Sequence, residues 1–193
     1  MTVEITRTTL ETDIKLTLKE GQVTKNGNRR FTDASLGFFD HMLTAMLYYA
    51  RLDVTLTCSG DTWVDTHHTL EDVGIVLGQG LAKLLKEKSG YARFGTAYVP
   101  MDEALVRTVL DLSGRPYIVL DGFDIATLPE SEQALVEFLR ALSQNAGITL
   151  HIDVIRGLNR HHIFEAVFKS MGQALAQALM PNETILSTKG RLL

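Results

Sequence analysis

The chain is written twice. Sliding it by 94 residues sets HHTLEDVGIVLGQGLAKLL (67–85) on HHIFEAVFKSMGQALAQAL (161–179), and nine of the nineteen pairs are identical. The same shift lays Val54-Thr55-Leu56 on Ile148-Thr149-Leu150. Each copy must therefore be a complete supersecondary unit, and hydrophobic periodicity indicates which one. In TDIKLTL (12–18), apolar Ile14, Leu16 and Leu18 alternate with polar Asp13, Lys15 and Thr17, the pattern of a half-buried strand. With turn chemistry at NGN (26–28), the stretch from Val3 to about Ser35 reads as three antiparallel strands. A helix over about Phe38–Tyr49 follows, then a strand over 52–58 and a helix over about Thr66–Lys88, closed by the glycine of KSGYARFG. The order then recurs, with strands over 94–100, 104–112 and 115–121, a helix over about Pro129–Asn145, a strand over 147–153 and a helix over 159–180. The expected class is α+β: duplicated βββαβα halves, with helices on one face of each antiparallel sheet. One compact unit is expected, with halves at about 1–91 and 92–185 and a short C-terminal tail.

Composition narrows the function classes. A net charge of −4 argues against a nucleic-acid binder that relies on a broad basic surface. It leaves room for a local Arg/Lys cluster around one phosphate. There is no run of eighteen apolar residues to span a membrane and no secretory leader pattern at the N-terminus, so the cytoplasm is the expected compartment. The single cysteine, Cys58 in LDVTLTCSG, cannot form an internal disulfide and reads as a small buried hydrophobe in a strand.

The chemistry lies in the histidines. Of the six, His67, His68, His161 and His162 form two HHxxE motifs, while His41 and His151 stand in FFDHM and TLHID. On a helix, positions i and i+4 share a face, so His67 with Glu71 and His161 with Glu165 can each grip one ion. The adjacent His68 and His162 point about 100° away and must serve a different ion. One consistent pairing puts His41, His67, Glu71 and His162 on one ion and His68, His151, His161 and Glu165 on another. The same ligands could equally be shared between subunits. Imidazole and carboxylate without thiolate suit Mn, Fe, Co, Ni or Zn. Four protein ligands on an octahedral ion leave two positions open, as catalysis requires. The pattern differs from HExxH, in which the glutamate lies between the ligands and acts as a base.

FFDHM, DTHHTLEDVGIVLGQ, RFG, VPMDEAL, DLSGRPY, HHIFEAVFK and STKG, taken in order and at these spacings, resemble the imidazoleglycerol-phosphate dehydratase family. The resemblance runs from about Thr9 to the C-terminus. It implies dehydration of imidazoleglycerol phosphate to imidazoleacetol phosphate in histidine biosynthesis. It also implies two manganese ions (Mn2+) per site, and a homo-oligomer of 24 subunits with sites at subunit contacts. On this resemblance the metal ligands are the six histidines with Glu71 and Glu165, and Glu11 handles a proton at the reacting carbons. Arg93, Arg115, Lys169, Ser187 and Lys189 would hold the substrate phosphate, and Asp102 would contact substrate. This chain departs from the family pattern at Thr66, where a second acid is common, and at Ala45, where glutamine is common. The run RFTDASL also replaces a Gly- and Thr-rich segment.

Such a dehydration suits this set of groups. The proton on the carbon bearing the C2 hydroxyl is not acidic by itself, but an imidazole that loses its N–H can push out the C3 hydroxide. Removal of the C2 proton then gives an enol that tautomerises to the ketone. Two other classes compete. A dinuclear phosphate-ester hydrolase would want bridging carboxylates rather than mostly imidazoles. A non-catalytic metal store would leave the Arg93, Arg115, Lys169 and Lys189 set without a purpose.

Overall fold

The fold is taken from a computed structural model that describes residues 2–21, 29–31, 36–88, 90–122, 124–183 and 187. The first half contains β1 (Thr2–Thr8), β2 (Thr12–Glu20), β3 (Arg29–Phe31), α1 (Gly37–Ala50), β4 (Leu52–Gly60) and α2 (His67–Glu87). The second contains β5 (Phe94–Met101), β6 (Ala104–Asp111), β7 (Tyr117–Asp121), α3 (Glu130–Ala146), β8 (Thr149–Arg156) and α4 (Arg160–Ala178). The class is α+β, and each half is βββαβα as the repeat requires.

Each half builds a four-stranded sheet, in the orders β1-β2-β4-β3 and β5-β6-β8-β7. One expectation is corrected here. The third strands are not antiparallel members of a three-stranded meander. β3 pairs parallel with β4, and β7 pairs parallel with β8. The helix between them makes a βαβ crossover, and that connection brings the next strand back in parallel. Strand periodicity reports which face is buried and is blind to the neighbour's direction. The NGN turn (26–28) lies outside the described residues. Gly90 also fails as the cap of α2, since Lys88 ends that helix in extended conformation and returns its N–H to Leu85. The left-handed glycine cap occurs instead at Gly147 after α3, with φ 68°.

The inward faces carry the expected two-residue alternation: Ile14, Leu16 and Leu18 on β2, and Leu52, Val54, Leu56 and Cys58 on β4, are all buried. The helices lie between the two sheets and pair across the halves, α2 with α3 and α1 with α4. Close approach depends on glycines. A Cβ at Gly74 of α2 would strike the Phe138 carbonyl of α3, and one at Gly172 of α4 would strike the Met46 carbonyl of α1. The buried apolar side chains consequently form one cluster running through both halves. Among the described residues no helix is long and apolar enough to cross a membrane.

Cys58 behaves as the packed residue its strand suggested. Burial, with smaller contributions from Asp72 and Asp13, pushes its thiol up to about 12. Alkylation of native protein near pH 8 should therefore run about a thousandfold slower than in guanidinium-unfolded protein. Mass-spectrometric timing of iodoacetamide addition checks this, and equal rates would contradict the burial.

Candidate metal centre

Both HHxxE motifs open a helix, and the same device seats each. In α2 the Asp65 side chain accepts the His67 N–H at 2.7 Å, and in α4 the Asn159 side chain accepts the His161 N–H at 2.9 Å. The two capping positions are 94 residues apart, so the cap belongs to the repeat. Thr66, the departure from the family pattern, is the N-cap residue of α2 but makes no side-chain capping bond. Adjacent histidines face different partners: His67 faces Glu71 while His68 faces Asp61, and His161 faces Glu165 while His162 faces Glu103.

The i,i+4 pairs meet as the helical spacing predicts. His161 Nε2 is 3.2 Å from Glu165 Oε2, and His67 Nε2 is 3.7 Å from Glu71 Oε2. His41, from α1, brings its Nε2 to 3.5 Å from the same Glu165 oxygen. This differs from the pairing that set His41 beside His67, Glu71 and His162. Because α1 packs chiefly on α4, His41 meets the second motif. Phe38, three residues before His41 on α1, lies 5.2 Å from the His161 ring.

Glu165 is the buried member, with its side chain 10% exposed, whereas His41 and His161 are about half exposed at 52% and 50%. Burial pushes the Glu165 carboxyl up, but the hydrogen bond and charge of Lys169, followed by His41, outweigh it and hold the group below its ordinary range. Lys169 Nζ donates to Glu165 Oε1 at 2.6 Å. In this chain the lysine assigned to phosphate therefore rests on the carboxylate assigned to a metal.

A second cluster forms around His68. Its Nδ1 is 3.0 Å from Asp61 Oδ2 and 4.0 Å from Glu11 Oε2. The Asp61 hydrogen bond raises the His68 pKa, opposed by desolvation. In the second half, His162 Nδ1 lies 2.7 Å from Glu103 Oε2, while Asp102 Oδ2 sits 3.7 Å from its Nε2. Glu103 Oε1 accepts the backbone N–H groups of Asn159 and Leu158 at 2.7 and 3.1 Å. Those bonds, Asn159 foremost and His162 next, hold the Glu103 carboxyl at about 2. Sequence reasoning missed both Asp61 and Glu103. Glu103 stood beside the assigned Asp102 in MDEAL. Asp61 directly follows β4, six residues before a histidine pair.

Among the described residues, two groups bring three potential ligand atoms within 4.8 Å of one another: His41, His161 and Glu165, and Glu11, Asp61 and His68. The first fits a first-row divalent ion, offering two imidazole nitrogens around one carboxylate oxygen on an open flank. His67 with Glu71, His162, and His151 belong to neither group. His151 is exposed on β8, opposite Val109 and Val119.

The arginines assigned to phosphate converge on Asp111. Arg93 adopts φ 76° and donates from Nε at 2.7 Å and Nη2 at 3.0 Å to the two oxygens of Asp111, with its guanidinium 4.7 Å above the Phe94 ring. Arg115 is half exposed, with Nη2 3.9 Å from the same carboxylate. Asp102 has φ 47° at the β5–β6 turn. Ser187 is partly buried, and Lys189 lies outside the described residues.

Comparison with known proteins gives this geometry a family. The profile described as Imidazoleglycerol-phosphate dehydratase matches residues 34–175. A protein of that name from Clostridium botulinum (strain Hall) is 49% identical over 195 residues, 98% of this chain and 97% of its own. One from Cereibacter sphaeroides (strain KD131) is 45% identical, covering 98% of both chains. The crystal structure of imidazoleglycerol-phosphate dehydratase from Staphylococcus aureus superposes with a TM-score of 0.78 at 36% identity, over 94% of this chain and all of that one. The Pyrococcus furiosus structure gives 0.80 at 39%, over 97% of this chain and all of its own. The chain belongs to the imidazoleglycerol-phosphate dehydratase family and is a carbon–oxygen lyase.

Proposed function

We propose that this enzyme performs the metal-dependent dehydration of imidazoleglycerol phosphate to imidazoleacetol phosphate in histidine biosynthesis. The observation that carries the reading is the convergence of His41, His161 and Glu165 from two helices of different halves onto one point. Manganese, two ions per site, is the proposed metal. When bound, it would supply Lewis acidity to the imidazole nitrogen and the substrate hydroxyl. Glu11, on the edge of the His68 cluster, is the proposed proton carrier at the reacting carbons. Arg93 and Arg115, with Lys169, Ser187 and Lys189, are proposed to hold the phosphate, and Asp102 to contact the substrate beside His162. The phosphate anchor would orient the reacting end using remote binding energy.

Among the described residues the His41–His161–Glu165 group has only three members, and His67, Glu71, His151 and His162 stand outside it and outside the His68 cluster. This supports sites completed by a second copy of the chain; a homo-oligomer of 24 subunits is what the family resemblance implies and is proposed on that ground alone. The test is to strip the assembled protein with a chelator and follow ketone formation from imidazoleglycerol phosphate with and without added Mn2+. Ketone that appears only with metal is expected. Release of inorganic phosphate instead would move the enzyme to the hydrolases, and tight metal binding without turnover would make it a store.

A further inference from the structure

We propose that Asp61 and Glu103 are positioning residues that fix His68 and His162 in the Nδ1–H tautomer, so that Nε2 is the atom offered to a divalent metal ion. The inference rests on the metal-dependent reading above. Its basis is the direction of two hydrogen bonds. A carboxylate can only accept, and a neutral imidazole carries one N–H. With Nδ1 facing Asp61 Oδ2 at 3.0 Å, or Glu103 Oε2 at 2.7 Å, the proton must be on Nδ1. The Nε2 lone pair is then free for a ligand, the arrangement that also raises imidazole basicity toward a metal.

Both carboxylates are themselves held. Asp61 is 6% exposed, its Oδ2 faces His68 Nδ1, and its other oxygen is buried without a hydrogen-bond partner among the described residues. Glu103 is pinned by the Leu158 and Asn159 N–H groups immediately before α4. The two acids do not descend from one position. The 94-residue shift sets Asp61 on Ile155 and Glu103 on Thr9, neither acidic. One acid comes from the end of β4 and the other from the β5–β6 turn, yet each reaches the Nδ1 atom of the second histidine of its pair. The same requirement has been met twice from different places, which a repeat decorated by inheritance alone would not produce.

The informative variants are Glu103→Gln and Asp61→Asn. In E103Q the amide oxygen can keep the two backbone donors while its NH2 faces Nδ1. That nitrogen must then accept, and the proton moves to Nε2 and blocks it. Mn2+ titration of the assembled full-length protein by calorimetry, with counting of bound ion by electron paramagnetic resonance, should show roughly 10–100-fold weaker binding in each variant. The melting temperature of the metal-free variants should stay near the wild-type value. Independently, solid-state 15N spectra of metal-free wild-type protein, with signals assigned by difference against His68→Gln and His162→Gln, should show Nδ1–H at both residues. An Nε2–H tautomer in wild type overturns the proposal, as does wild-type Mn2+ affinity in E103Q and D61N. If the variants do not fold, the wild-type spectra decide alone. Wild-type protein that binds no Mn2+ would remove the metal reading, while the spectra would still decide the tautomers.

Discussion

Replacing Glu165 with glutamine should lower kcat/KM by about a thousandfold or more, the equivalent of some 4 kcal/mol of transition-state stabilisation. Glu165 is where His41 Nε2 and His161 Nε2 meet, at 3.5 and 3.2 Å from one carboxylate oxygen. The amide keeps the shape and removes the charge, so a divalent ion loses its anionic ligand while both imidazoles stay in place. Lys169, which donates to the other oxygen, loses its ionised partner too, and its ammonium then stands uncompensated beside the ion's position. Steady-state rates with saturating Mn2+, together with metal content after gel filtration, make the test. Retention of both near wild-type levels would remove this triad from the chemistry. Because Lys169–Glu165 is a local i,i+4 contact, the variant should still fold, and circular dichroism separates lost ligation from lost structure.

Alanine at Gly95 is expected to destabilise the chain by about 3 kcal/mol, or more if the backbone cannot give. Gly95 lies on β5, and a Cβ there would run into the Ala174 carbonyl of α4, with that residue's backbone carbon at 2.7 Å and Cα at 3.1 Å. The obstacle is helix backbone, so no rotamer change relieves it, and α4 must move off the sheet. That helix carries His161, His162 and Glu165, so activity should fall along with stability. For a chain of this size the midpoint of thermal unfolding should drop by roughly 10 °C. Gly37→Ala is the matched control. Gly37 opens α1 with nothing within 4 Å of its Cβ position, and alanine there should be neutral or slightly stabilising. Equal melting curves for G95A and wild type would mean that the β5–α4 contact is looser than the geometry implies.

Much of the site was legible because its rules are local. The i,i+4 spacing alone puts His161 beside Glu165 and His67 beside Glu71, since 3.6 residues complete a turn wherever the helix lies. The different directions of His67 and His68 follow from the same number, about 100° per residue. Glu11, Asp102 and Arg93 were legible only through resemblance. The positive φ of Arg93 and Asp102, and the partners Asp111 for Arg93, His162 for Asp102 and His68 for Glu11, come from the folded chain.

Local patterns along the chain were enough for the duplication, the element types, the buried stripes of β2, β4 and the helices, and the kind of donor available for a metal. These depend on the periods 2 and 3.6 and on side-chain chemistry, which neighbours in the chain carry between them. The tertiary structure decided which strands run parallel, that α1 docks on α4 through Gly172, and hence that His41 meets Glu165 rather than Glu71. It also brought Asp61 to His68 and Glu103 to His162 across gaps of 7 and 59 residues. Such pairings are set by how closely two backbones can pack, and no local period records that distance.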